Sequence, residues 1–149
     1  MINKAHLTAI GRTKISTPMR WLNSRGLIQG WDILDYGCGR GFDADQFQME
    51  KYDPHYFPND ALLERKWDLI VCHYVLNVVS EPVAQHIMDK IESMLNAGGQ
   101  AFITVRCDVK VEGFTSKGTY QRNPVLSLPV VHKTSSFCIY QLDKHSTLW

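Results

Sequence analysis

Apolar residues recur along this chain in two rhythms. Short, nearly continuous apolar runs at 33–36, 67–74 and 101–105 suit strands buried on both faces of a parallel sheet. A weaker run at 50–53, closed by Pro54, reads as a further strand. The run at 67–74 is the strongest, being rich in β-branched and aromatic residues. Between the last two runs the rhythm changes. Val83, Ile87, Met88, Ile91, Met94 and Leu95 fall three or four apart, with Ser80 as N-cap and Gly98-Gly99 as the stop. That is a helix packed by one face. An earlier helix is predicted from Thr17 as N-cap and Pro18 at the first helical position, ending at Gly26. The tail reads as two strands, 125–131 and 136–142, around Lys133-Thr134-Ser135, and 106–124 reads as a loop over one end of the sheet. Strands alternating with helices and then a terminal pair predict an α/β sheet with an antiparallel C-terminal β pair.

With 149 residues, 44% of them hydrophobic and 21% charged, the chain has the size and composition of one globular domain. We expect a single domain over 1–149: a helical lead-in at 1–30, a ligand-binding core at 31–106, and a substrate loop with terminal strands at 107–149. Sixteen basic against fifteen acidic residues give a net charge of +1, so any nucleic-acid partner must be held by a local patch. Cys38, Cys72, Cys107 and Cys138 lie more than thirty residues apart, a spacing that offers no metal site and no disulfide framework. No eighteen-residue apolar run is present. The expectation is a reduced, cytoplasmic protein without a membrane segment.

The informative segment is Asp35-Tyr36-Gly37-Cys38-Gly39-Arg40-Gly41, directly after a predicted strand. Glycines there permit left-handed backbone and let a ligand lie against bare peptide. Asp53 ends the next strand eighteen residues after Asp35, where its carboxylate is suited to accept hydrogen bonds from both hydroxyls of a ribose. A dinucleotide fingerprint would need glycine at position 42, and Phe42 stands there. The segment instead resembles motif I of the class I S-adenosylmethionine-dependent methyltransferases. The resemblance runs on through Tyr52-Asp53 as the acidic second motif. It continues through 67–77 as the fourth strand and its loop, then through the helix, Gly98-Gly99 and the strand reaching Arg106. The stretch from Ile10 to Arg20 resembles the corresponding part of short phage and bacterial methyltransferase-like proteins. The chain departs from the family pattern in two places. After motif I there is room only for a short helix, 42–48, and 54–66 barely holds the family's usual helix and third strand. The resemblance therefore implies a truncated Rossmann-like sheet.

It also implies S-adenosylmethionine as cofactor, held by Asp35, Tyr36, Gly37, Cys38, Gly39, Asp53, Pro54, His55, Cys72, His73 and Tyr74. Asp53-Pro54-His55-Tyr56 looks like the amine-binding signature of amino-group methyltransferases, but that signature follows the fourth strand, so we assign Asp53 to the ribose. Cys72 is preceded by Val71 rather than Pro or Thr, which favours a small strand-end residue over a covalent nucleophile. His73 is a candidate general base and Asn77 a candidate orienting group, the two forming the catalytic assignment. Lys117, Tyr120 and Arg122 are the candidate substrate-binding residues, two cations with an aromatic between them, able to hold a phosphate and stack a base. Arg12, Lys14, Arg20 and Lys4 make the N-terminus locally basic, suited to the donor's carboxylate or to a phosphate. The reading is methyl transfer to a nucleic-acid component or a small metabolite. The competing reading is a non-catalytic S-adenosylmethionine-binding module that serves a partner protein.

Overall fold

A computed structural model describes residues 2–145. The last four positions of the expected 107–149 segment lie outside the described residues, as does Met1. Six strands form one sheet in the order β2-β1-β3-β4-β8-β7. They are β1 (Ile33–Tyr36), β2 (Glu50–Tyr52), β3 (Trp67–His73), β4 (Leu95–Arg106), β7 (Val130–Lys133) and β8 (Phe137–Asp143). The first four run parallel, and β8 and β7 complete the sheet antiparallel. A separate two-stranded hairpin pairs β5 (Gly113–Phe114) with β6 (Tyr120–Gln121). The expected α/β class and its antiparallel C-terminal pair are both present.

Period-two alternation divides the core between the two faces. On β3, Leu69 and Val71 pack with Met19 and Leu22 of α1 (Thr17–Ser24) and Ala44 of α2 (Phe42–Phe47). Ile70 and Cys72 point the other way, against Ala84, Ile87 and Ile91 of α3 (Glu81–Ser93). Such a strand must be apolar on both faces, which is why its sequence shows a run and not an alternation.

Several boundaries differ from expectation. Ser16, not Thr17, caps α1: its hydroxyl accepts from the Met19 N–H at 3.4 Å, and its own N–H donates to Asp43 at 2.9 Å. α3 stops at Ser93, before Leu95, because Leu95 pairs with Trp67 and opens β4. Gly98-Gly99 therefore lies in an irregular stretch of β4, where the register slips between Trp67 and Leu69, and does not form the helix end. β7 begins at Val130, not at 125. The family's third strand is absent. Residues 53–66 supply an isolated bridge between Asp53 and Phe57 and one 3-10 turn, Asp60–Glu64, so β2 is the edge. Trp67 anchors this segment, its buried indole N–H donating to the Leu62 carbonyl at 3.0 Å.

β1 connects to β2 on one side, while β3 lies on its other side, so the strand order reverses between β1 and β3. Loops leaving the carboxyl ends of these two strands diverge and open a crevice there. They still touch at one point. Gly37 has φ +77°, and a Cβ built on it would lie 2.2 Å from the Val75 Cγ2. Gly37→Ala should therefore cost at least ~1 kcal/mol from left-handed backbone alone, with the clash added. Urea denaturation of Gly37→Ala against Gly37→Ala/Val75→Ala is expected to recover the clash component in the double variant but not the backbone component.

Candidate active site

The crevice widens into a cavity of about 780 Å³, within the size range of cofactor sites. One wall is the turn after β1. Its shape is imposed from the end of β2: the Tyr52 carbonyl accepts from both the Gly37 N–H at 2.8 Å and the Cys38 N–H at 3.0 Å. Gly39, at φ +57°, donates its N–H to Asp53 Oδ2 at 3.0 Å. The other Asp53 oxygen accepts from the His55 and Tyr56 N–H groups at 2.9 and 3.0 Å. Three of the roughly four lone-pair positions on this carboxylate are thus filled by backbone. Asp53 clamps the glycine turn as well as lining the cavity, leaving room for one further hydrogen bond where two were expected.

Tyr36, Gly37, Cys38, Gly39, Asp53, Pro54, His55, Tyr74 and Asn77 all line this cavity. Tyr74 follows β3 in the left-handed region at φ +61°, unusual for a bulky side chain, and its N–H donates to the Thr104 carbonyl at 2.8 Å. Arg12 lines the cavity and makes no ion pair among the described residues. A strap at 3–12 crosses the opening. Asn3 donates from Nδ2 to the Val78 carbonyl at 2.8 Å, and the Lys4 N–H reaches the Gly118 carbonyl at 3.0 Å. On the far side the Tyr56 hydroxyl donates to the His6 carbonyl at 3.3 Å, and His6 stacks on His55 at 4.1 Å. Nothing in the apolar pattern marks 3–12 as a roof. Gln121, Val83 and the Arg106–Asp108 ion pair also line the cavity although none was expected there; Val83, assigned from its spacing to the packed face of the helix, is instead 47% exposed to it, since only the tertiary fold brings these groups together.

Other expected residues lie elsewhere. Asp35, Cys72 and His73 do not line the cavity. Strand alternation turns Cys72 into the core beside Leu34 and Ile103, fully buried, and burial drives its thiol pKa up, which rules out a thiolate nucleophile. Asp35 is 4% exposed, and its pKa is raised to about 8, first by burial and then by Asp43 and Asp53. His73 bonds through Nδ1 to the Thr104 hydroxyl at 2.7 Å, while Nε2 is buried without a partner. Burial lowers its pKa to about 4, against the opposing pull of Asp43. It is a neutral imidazole without access to the cavity, a poor general base. Lys117 and Tyr120 also lie outside the cavity lining, with Tyr120 packed edge-on against Phe114 at 5.2 Å. Arg122 is engaged: Nε donates to the Val79 carbonyl at 2.7 Å and Nη1 to Glu81 at 2.6 Å. It fastens the hairpin to the start of α3.

A crevice at the strand-order reversal, floored by glycines and closed by an acid at the end of the adjacent strand, defines an α/β protein of Rossmann-like, nucleoside-binding type. Residues 11–132 match the model of a family described as a methyltransferase domain, and the chain belongs to that family. No curated protein sequence matches the chain. Among solved structures it is similar to the 1,6-didemethyltoxoflavin-N1-methyltransferase of Burkholderia thailandensis, at 14% identity over 87% of this chain and 78% of that one, TM-score 0.64. The N-methyltransferase NodS of Bradyrhizobium japonicum is similar at 12% identity, over 85% of each chain, TM-score 0.54. The magnesium protoporphyrin IX methyltransferase of Synechocystis PCC 6803 is similar at 15% identity over 86% and 76%, TM-score 0.53. At such identities the likeness speaks for the fold. No described helix is long and apolar enough to cross a membrane, and no described cluster of three metal-binding side chains occurs.

Buried Asp35 and half-buried His73 pull stability in opposite directions with pH. Asp35, with its pKa raised, contributes fully below about 3.8 and loses stability as pH rises towards about 8. His73, with its pKa lowered, contributes fully above about 6.5 and loses stability as pH falls towards about 4. Between pH 6.5 and 8 only the Asp35 loss operates, about 2 kcal/mol at 1.36 kcal/mol per pH unit. Asp35→Asn is expected to abolish that alkaline decline, measured by urea denaturation at pH 6.5 and pH 8.

Proposed function

We propose that this chain transfers a methyl group from S-adenosylmethionine, held over Gly37 and Gly39, to a small acceptor that enters the same cavity beside Asn77. The observation that carries the reading is one continuous cavity joining the glycine turn, Asp53 and Arg12. The residues present fit such a donor. Glycine at 39 leaves bare backbone where a Cβ would already come within 3.3 Å of the Ala9 Cβ. Asp53 retains acceptor capacity for one ribose hydroxyl, and Arg12 is a cation open to the donor's carboxylate. Pro54 and His55 border the side where the third strand is missing.

When bound, S-adenosylmethionine supplies a sulfonium methyl group that passes to an acceptor lone pair as its C–S bond breaks, releasing S-adenosylhomocysteine. The protein's share is orientation and desolvation. Tyr74, pinned by its backbone bond to Thr104, forms part of the cavity wall, its ring edge-on to Phe137 at 6.4 Å. The 3–12 strap covers one side of the cavity. Asp43 and Asp108 are the remaining acidic side chains in the lining besides Asp53, and Asp108 is held by Arg106 at 2.8 Å. Transfer to a neutral nucleophile would move the positive charge from the donor sulfur to the methylated acceptor, which then sheds a proton to water, so no strong base is demanded beforehand.

Titration calorimetry with S-adenosylmethionine tests the assignment. Gly39→Val is expected to abolish measurable binding in a folded protein by obstructing the backbone approach. Asp53→Ala removes a charge-assisted hydrogen bond of ~1.5–3 kcal/mol and should weaken binding about tenfold or more. Undiminished affinity in both variants would overturn the site. Radiolabelled methyl transfer onto metabolite, nucleic-acid and protein fractions then tests turnover, and binding without transfer to any fraction would favour a non-catalytic module.

A further inference from the structure

We propose that the flank formed by residues 14–31 is a docking track for single-stranded nucleic acid, with phosphates on Lys14, Arg20 and Arg25 and an unpaired base on Trp31. The inference goes beyond the methyl-transfer reading and does not rest on it, because the track lies outside the cavity.

Charge is divided unevenly along the chain. The first thirty-one residues hold five basic residues and no acidic one, whereas the rest hold eleven basic and fifteen acidic. Elsewhere in the fold basic side chains find acids: Lys51 pairs with Asp45, Arg65 with Asp32, Arg106 with Asp108 and Arg122 with Glu81. Among the described residues, none of Lys4, Arg12, Lys14, Arg20 and Arg25 makes an ion pair. Lys14, Arg20 and Arg25 are exposed, and Arg20 donates from Nη2 to the Ile15 carbonyl at 3.4 Å. The inner side of α1 buries Pro18, Met19 and Leu22, which leaves Thr17, Arg20, Asn23 and Ser24 facing solvent.

This strip of cations begins at the mouth of the cavity. Arg12 and Arg40 both line the mouth, and neither has an ion-pair partner among the described residues. Arg40 approaches the strap at Gly11, where a Cβ would lie 3.5 Å from its Nη1. The acids nearby are engaged, since Asp43 accepts from the Ser16 N–H and Asp108 is held by Arg106. From the cavity wall a line of rings runs to the other end of the strip. Phe137 stands edge-on to Tyr74 at 6.4 Å and His132 to Phe137 at 5.7 Å. His132 stacks on Trp21 at 4.5 Å, and the Arg25 guanidinium lies over the Trp21 ring at 5.4 Å. Further along, Trp31 is 98% exposed, and the charge of its neighbour Asp32 is met by Arg65.

Successive cations beside an open aromatic face suit a charged backbone that carries unpaired bases. A duplex hides the faces of its bases and would leave Trp31 unused. An acidic peptide would meet the cations and have nothing to stack on the indole. A lipid surface favours a helix with an apolar outer side, and the exposed residues of α1 are polar.

Fluorescence anisotropy of a short fluorescein-labelled oligothymidylate with the full chain tests the track. Three neutralised phosphates give an expected slope of log affinity against log salt of about −2, at ~0.7 per phosphate on a single strand. Arg20→Ala is expected to weaken binding and to bring the slope to about −1.4. Should Arg20→Ala not fold, Lys14→Ala carries the same expectation. Trp31→Ala should weaken binding about fivefold or more and leave the slope as it was. Lys90→Ala removes the same charge from α3, on the other face of the sheet, and is expected to change neither quantity. Binding that ignores salt, wild-type affinity in Trp31→Ala, or an equal loss in Lys90→Ala would overturn the proposal. So would tighter binding to a duplex of the same length, to polyglutamate or to phosphatidylglycerol vesicles. S-Adenosylhomocysteine affinity, measured by calorimetry, is expected to be unchanged in Arg20→Ala and Trp31→Ala, so loss of the track leaves the cofactor assignment standing.

Discussion

The end of β2 grips the turn that follows β1, and the binding crevice depends on that grip. One carbonyl, that of Tyr52, receives two consecutive N–H groups, and the neighbouring Asp53 carboxylate receives a third from Gly39. Backbone donors in a turn with left-handed residues converge only when an acceptor waits for them. Parallel pairing of β1 with β2 puts that acceptor at the right height, with Tyr36 in register with Tyr52. Val75, from the loop after β3, presses on Gly37 and closes the third side. The shape of the site thus arises from three strand ends acting on one short turn.

The two ends of the cavity have different chemistry because they are built from different elements. The glycine turn, Asp53 and Arg12 supply charge and bare backbone. The 76–79 segment, the first turns of α3 and the edge of β6 supply valines and an amide pair. With β2 as the sheet edge, part of the cover comes from the 53–57 turn, which the Asp53 carboxylate caps from within. The strap at 3–12 rests on this turn at one side and on the hairpin at the other. No residue of its 3-10 turn, Ala5–Thr8, is buried, so few apolar contacts hold it.

Beneath the cavity, on the α1 and α2 face, the sheet buries ionisable groups. Asp35 and His73 both sit on strands whose alternation faces them inward, and neither forms an ion pair there. Their shifted pKa values express desolvation first and neighbouring charge second. An apolar sheet of this kind would be more stable without them. Asp35 stands two residues before Gly37, so this cost lies directly under the functional turn.

The sequence by itself determined the six strands of the main sheet and the strand–glycine–acid order, because these depend on local rules, whereas the β5–β6 hairpin lies in a stretch that reads as loop. Apolar runs, left-handed turns and residue spacing are written in contiguous stretches of chain. The exact ends of α1 and α3 escaped, since capping by Ser16 depends on Asp43 as well and the stop of α3 depends on pairing with Trp67. Only the tertiary structure decided which side chains meet in the cavity. Cys72 and His73 point to opposite faces of β3, each covered by the layer packed on it, while Tyr74, just past the strand's carboxyl end, reaches the cavity. Position in the sequence put Lys117, Tyr120 and Arg122 near an expected ligand, yet Arg122 was claimed by Val79 and Glu81. Gln121, their neighbour, reached the cavity because the hairpin hydrogen-bonds to Asn77 across more than forty residues of chain. Contacts between segments so distant carry no local signature, and only the folded chain brings them together.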